Sequence, residues 1–81
     1  MKDPLRQKVE NAGITRAQLE TIIDTWIFSD RDRYILKRFL ADHASYAQIA
    51  DEMAGDDSYI TDSAIGKRCR RAFAKIELKL H

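Results

Sequence analysis

The stretch Thr61-Asp62-Ser63-Ala64-Ile65-Gly66-Lys67-Arg68-Cys69-Arg70-Arg71-Ala72-Phe73-Ala74-Lys75-Ile76-Glu77-Leu78-Lys79-Leu80 decides the fold. Its apolar positions Ile65, Cys69, Ala72, Phe73, Ile76 and Leu80 recur at spacings of three and four, which is one buried face of an α-helix. Thr61 supplies a cap hydroxyl, and Asp62 puts an acid in the first turn, where the helix dipole stabilises it. Ser63, Gly66, Lys67, Arg70, Arg71 and Ala74 fall largely on the opposite side. The spacing predicts a helix from about Thr61 to Leu80 that anchors itself by an apolar stripe and turns a basic face to solvent. Ser63 and Gly66 are short, so this face is expected to let the helix sit deep in a groove.

Upstream, the same capping grammar repeats. Ser45-Tyr46-Ala47-Gln48 reads as a capping box opening a short helix with Tyr46, Ile49, Ala50 and Met53 inward. Before it, Ser29-Asp30-Arg31-Asp32 opens a helix with acids in its first turn, where the dipole favours them, and Ile35, Leu36, Phe39 and Leu40 inside, ending near His43. Thr15-Arg16-Ala17-Gln18 is another capping box. It opens a helix whose stripe of Leu19, Ile22, Ile23, Trp26 and Ile27 is expected to pack in the core, with self-association as the alternative. Asp3 and Pro4 start a first short helix that Gly13 ends. Ala54-Gly55-Asp56-Asp57-Ser58-Tyr59 is a polar loop. No segment alternates with period two, so the expected fold is all-α: a helix-turn-helix bundle of four to five helices without a sheet. It forms one domain, with residues 1–28 as a helical extension and 29–80 as the helix-turn-helix unit.

Composition agrees. In a chain of 81 residues, 3 Gly and 1 Pro favour uninterrupted helices over a turn-rich β fold. The single Cys excludes an internal disulfide; Cys69 is expected as a small buried apolar residue. With 2 His, no metal cluster suggests itself, and no cofactor is expected. No apolar run approaches the roughly 20 residues that span a bilayer, and Met1-Lys2-Asp3-Pro4 lacks a signal-peptide stretch, so a cytoplasmic protein is expected. The net charge of +1 hides an asymmetry: residues 1–60 carry 8 Lys and Arg against 11 acids, while residues 61–81 carry 6 against 2. Such lopsidedness points to a basic functional surface at the C-terminal end.

A longish helix, a short capped helix, a turn and a basic helix follow one another in the order of a helix-turn-helix, whose second helix enters the major groove of DNA. The residues themselves carry a resemblance. Ser45-Tyr46-Ala47-Gln48-Ile49-Ala50-Asp51-Glu52-Met53 resembles the Ser-Tyr-x-x-Ile-Ala-x-x-Leu pattern that opens the helix-turn-helix in region 4 of bacterial sigma factors. Ile60 to Ala72 is similar to that family's recognition helix, where a Ser/Thr-rich cap precedes Val or Ile and then Arg-x-Arg-Arg-Ala. Asp32-Arg33-Tyr34-Ile35-Leu36 is similar to the Asp-Arg-x-Ile-Leu of the preceding helix. The resemblance covers residues 29–80 and is closer to phage and mobile-element regulators than to a whole sigma factor. In place of the family's usual Gly-Ile turn, Ala54 to Tyr59 intervene before Ile60.

The expected function is therefore sequence-specific binding of double-stranded DNA by a transcription regulator. Lys67 and Arg70 are the expected base readers, since Arg bonds guanine through two parallel hydrogen bonds. Arg68, Arg71 and Lys75 are the expected phosphate contacts, with Ser63 able to do either and Gly66 admitting close approach. Tyr46, Gln48, Lys37 and Arg38 are further candidates for the DNA backbone. If four phosphates are met, log affinity falls against log salt with a slope of about −3.5. Specificity then calls for a homodimer or larger assembly. Two rival expectations are a protein-interaction module docking on RNA polymerase, as region 4 does in the family, and the DNA-recognition subunit of a phage packaging machine. No nucleophile–base pair or metal-ligand set is apparent, so no enzyme is expected.

Overall fold

The computed structural model describes residues 3–54 and 60–80, and they form an all-α fold. The elements are α1 (Pro4–Ala12), α2 (Arg16–Trp26), α3 (Asp30–Leu36), α4 (Tyr46–Met53) and α5 (Asp62–Ile76). A π-helical turn, Lys37–Ala41, prolongs α3, and a 3-10 turn, Glu77–Lys79, prolongs α5. The loop expected at Ala54 to Tyr59 lies, from Gly55 onward, outside the described residues. No described helix is long and apolar enough to cross a membrane.

Each start is set by the side chain that the sequence offers. Asp3 accepts from the Leu5 N–H at 2.9 Å, Thr15 from Gln18 at 3.1 Å and Thr61 from Ala64 at 3.1 Å. The Thr15–Gln18 capping box closes fully, with the Gln18 side chain accepting from the Thr15 N–H at 2.8 Å. At α4 only half of the expected box forms. Ser45 Oγ accepts from the Gln48 N–H at 3.1 Å, and the Gln48 side chain does not reach back. Gly13 ends α1 in the left-handed region, at φ 66°, where glycine carries no Cβ penalty. His43 takes the same region, at φ 59°, and ends the π turn.

One core runs through all five helices. Leu5 of α1 and Leu19, Ile23 and Ile27 of the α2 segment share it with Ile35, Leu36, Phe39 and Leu40. Ile49, Ala50 and Met53 come from α4, and Ile65, Cys69, Ala72, Phe73, Ile76 and Leu80 from the last segment. Residues 4–28 thus contribute Leu5, Leu19, Ile23 and Ile27 to the core that the later helices share. The α2 stripe divides as its spacing dictates: Leu19, Ile23 and Ile27 are buried, Ile22 is half-buried and Trp26 stays 43% exposed. Cys69 is buried as expected, and burial pushes its thiol up to about 12.

The Asp32-Arg33-Tyr34-Ile35-Leu36 motif now has a physical content. Ile35 and Leu36 are fully buried. Arg33 turns back to the end of α2, donating from Nε to the Ile27 carbonyl and from Nη2 to the Asp24 carbonyl at 3.0 Å. It thereby satisfies carbonyls that a helix C-terminus leaves without partners. Asp32 reaches α5, where Arg68 Nε lies 3.2 Å from its Oδ1.

Candidate nucleic-acid interface

The open face of α5 carries Ser63, Lys67, Arg70 and Ala74 along one stripe, with Arg71 and Lys75 beside it, and all six are exposed. The stripe is about 18 Å long at 1.5 Å rise per residue. Lys67, Arg70, Arg71 and Lys75 make no hydrogen bond or ion pair among the described residues. The apolar face beneath is fully engaged: Ile65, Cys69 and Ile76 have no exposure and Phe73 has 1%. Asp62 accepts from the Ser63 N–H at 2.8 Å, the helix-stabilising role expected of a first-turn acid.

Two of the expected DNA contacts are placed elsewhere, and both lie where the helix turns from solvent to core. Gly66 was expected outward but is buried. A Cβ built on it would come within 3.2 Å of Tyr46 Cε2 and 3.3 Å of Arg70 Nη1, so glycine lets α5 close on the Tyr46 ring. Arg68 was expected on phosphate, but it is committed to Asp32, whose Oδ1 is buried and has no hydrogen bond. Gly66 thus faces α4 and Arg68 faces α3, and the free stripe lies between them.

The other backbone candidates divide in the same way. Lys37 Nζ lies 2.7 Å from Asp24 Oδ1. Arg38 donates to both oxygens of Glu52, from Nε at 2.9 Å, and also to Asp42 at 3.2 Å. Tyr34 donates to Glu52 as well, at 2.8 Å. Arg38 first, then Tyr34, hold the Glu52 carboxyl below its ordinary range; Arg38 does the same for Asp42, aided by Arg16. Lys37 and Arg38 are therefore occupied with neighbouring carboxylates. Gln48 is exposed at the start of α4.

Tyr46 is a wedge as well as a surface group. Its ring stacks on Phe39 with centroids 4.4 Å apart and planes at 16°. Burial, with Cys69 close by, pushes its hydroxyl up to about 12. Beside Tyr46 and the first turns of α5 opens a cleft of about 380 Å³, lined by Tyr46, Asp62, Ser63, Gly66, Lys67 and Arg70. The cleft thus has a floor of small and aromatic groups and a rim formed by Asp62, Lys67 and Arg70.

Sequence reasoning missed what braces this wedge. Arg6 of α1 donates to the Phe39 carbonyl at 3.2 Å and to the Ala44 carbonyl at 2.8 Å, and its guanidinium lies 4.1 Å from the Phe39 ring centroid. The π turn and its exit leave carbonyls that the α-helical ladder does not bond, and Arg6 fills that need. No local signal marks Arg6, because its partners lie 33 and 38 residues away. Comparison with protein-family models, curated proteins and solved structures finds no match to this chain.

Proposed function

We propose that the protein is a sequence-specific transcription regulator of the sigma region 4-like type that lays α5 in the major groove of double-stranded DNA. One contrast carries this reading. Of the seven basic side chains considered for contact with DNA, Lys37, Arg38 and Arg68 are neutralised by neighbouring carboxylates, whereas Lys67, Arg70, Arg71 and Lys75 share one open face with no partner among the described residues. Clustered, desolvation-ready cations on one side of a well-anchored helix are the electrostatic footprint of a polyanion site. An α-helix about 10–12 Å across matches the roughly 12 Å width of the major groove.

Roles follow from position on the helix. Ser63, Lys67 and Arg70 occupy the first turns beside the Tyr46 cleft and are assigned to base edges. Arg71 and Lys75, on the flank, are assigned to phosphate, where they set register without reading sequence. Gln48 at the start of α4 is assigned to the neighbouring backbone.

The test is selection of bound sequences from a random duplex pool at two salt concentrations. A consensus that loses positions in Lys67→Ala and Arg70→Ala is expected. An unchanged consensus and affinity in both variants would refute the assignment. Salt-insensitive capture of a protein partner without DNA binding would move it to an interaction module.

A further inference from the structure

One side chain at the start of the basic face has the wrong sign for a polyanion. Asp62 is exposed and lines the cleft beside Tyr46 together with Ser63, Gly66, Lys67 and Arg70. Its Oδ1 accepts from the Ser63 N–H at 2.8 Å. Among the described residues Oδ2 makes no hydrogen bond, and neither Lys67 nor Arg70 forms an ion pair with the carboxylate. Asp62, Gly66 and Arg70 follow one another at a spacing of four, so they share one line of the helix. Arg70 reaches back along that line: its Nη1 lies 3.3 Å from where a Gly66 Cβ would stand. One hollow thus offers a carboxylate acceptor, a guanidinium fork and, beside them, the Lys67 ammonium.

We propose that this cleft reads a C·G base pair, with Asp62 accepting from the cytosine N4 amino group and Arg70 donating to guanine O6 and N7. The proposal deepens the assignment of α5 to duplex DNA and rests on it. A carboxylate brought up to a duplex is repelled by phosphate, so on the DNA backbone Asp62 would only weaken binding. It gains where a donor receives it. The major groove offers two such donors, the amino groups of cytosine N4 and adenine N6.

The neighbouring cation decides between them. On an A·T pair the amino group stands between two acceptors, adenine N7 and thymine O4. A carboxylate there meets lone pairs on both sides, and a fork finds no two acceptors together. On a C·G pair the amino group stands at one side, and O6 and N7 of the paired guanine lie together on the other. An acid next to a planar fork of N–H donors matches that edge group for group. Position agrees, because the N-terminal residues of the second helix meet base edges in a helix-turn-helix.

The test compares the parent with Asp62→Asn by selection from a random duplex pool, followed by fluorescence anisotropy on the selected duplex and its single-pair variants. Asn keeps an oxygen for the Ser63 N–H, and circular dichroism checks that helicity is unchanged. The parent consensus is expected to hold a C·G column that Asp62→Asn loses while the other columns persist. Changing that pair to T·A is expected to weaken the parent on the order of 10-fold and Asp62→Asn less than about 3-fold. Duplexes without the consensus are expected to bind Asp62→Asn more tightly than the parent, because a repelled charge is gone. Asp51→Asn, which removes the same charge from an exposed site on α4, is expected to leave the consensus intact. An A·T pair in that column, or a consensus and discrimination that Asp62→Asn shares in full, would overturn the proposal and leave Asp62 as a helix-stabilising acid, with α5 still on DNA. A parent that selects no duplex would overturn the DNA reading itself, and this assignment with it.

Discussion

Removing Arg68 separates structural cations from binding cations. Four basic residues on the open face of α5 have no partner among the described residues. With Arg71 and Lys75 on phosphate, log affinity falls against log salt with a slope of about −1.8, or roughly 12-fold between 50 and 200 mM salt. Replacing Arg71 or Lys75 by Ala is expected to bring the slope to about −0.9, so the same salt step costs roughly 3.5-fold. Arg68→Ala is expected to leave the slope where it was. Its damage falls on the fold, because Asp32 has a side chain 17% exposed and a buried Oδ1 with no hydrogen bond. Leaving that carboxylate without its cation costs about 1–2 kcal/mol. For a domain this small the melting temperature falls by roughly 4–8 °C per kcal/mol. Asp32→Ala in the same background restores part of the loss, since no orphaned charge remains. Fluorescence anisotropy on one duplex across a salt series, with thermal melting by circular dichroism, reads both quantities. A flatter slope for Arg68→Ala with an unchanged melting temperature would refute the partition.

Three further outcomes are expected. Gly66→Val drives two methyl groups toward a Tyr46 ring that is already stacked, and overpacking of this kind costs about 1–3 kcal/mol in a denaturant melt. A melt matching the parent would show that the ring yields freely. Glu52, held below its ordinary pKa of 4.5 by Arg38 and then Tyr34, adds stability that is complete above that value and is lost as pH falls through the lowered one. Glu52→Gln is therefore expected to be less stable than the parent at pH 7, with the gap narrowing as pH falls below the ordinary carboxylate range; a gap independent of pH contradicts this. Cys69, raised from 9.0 to about 12, should react with a thiol reagent at pH 8 about a thousandfold more slowly in the folded protein than an ordinary thiol, and at the full rate in denaturant. Fast labelling without unfolding would contradict its burial.

What the sequence revealed and what it concealed follow a physical line. Caps at Asp3, Thr15, Ser45 and Thr61 were legible because a cap bonds to a backbone group two or three residues on. The apolar faces were legible because a helix repeats its environment with a fixed period. Concealed were the residues at the margins of those faces, where periodicity gives no sign. Gly66 and Arg68 flank the open stripe, and only the neighbouring helices, by offering Tyr46 to one and Asp32 to the other, decide that both are taken. Trp26 sits at the same kind of margin on α2 and falls outward. The π turn at Lys37–Ala41 and its brace by Arg6 depend on a side chain more than thirty residues away, so no window of the sequence contains them.

The Tyr46 ring, held between the Phe39 ring and the bare backbone of Gly66, works as a shim that sets how far α5 stands off from α4. Its thickness is independent of the letters on the exposed stripe. Exchanging this tyrosine for a thinner or thicker residue would change the tilt of α5 and the direction in which its exposed cations point. If α5 binds a duplex as proposed, target preference would drift through a residue outside the exposed stripe, and motifs inferred by matching the exposed positions alone would miss that drift.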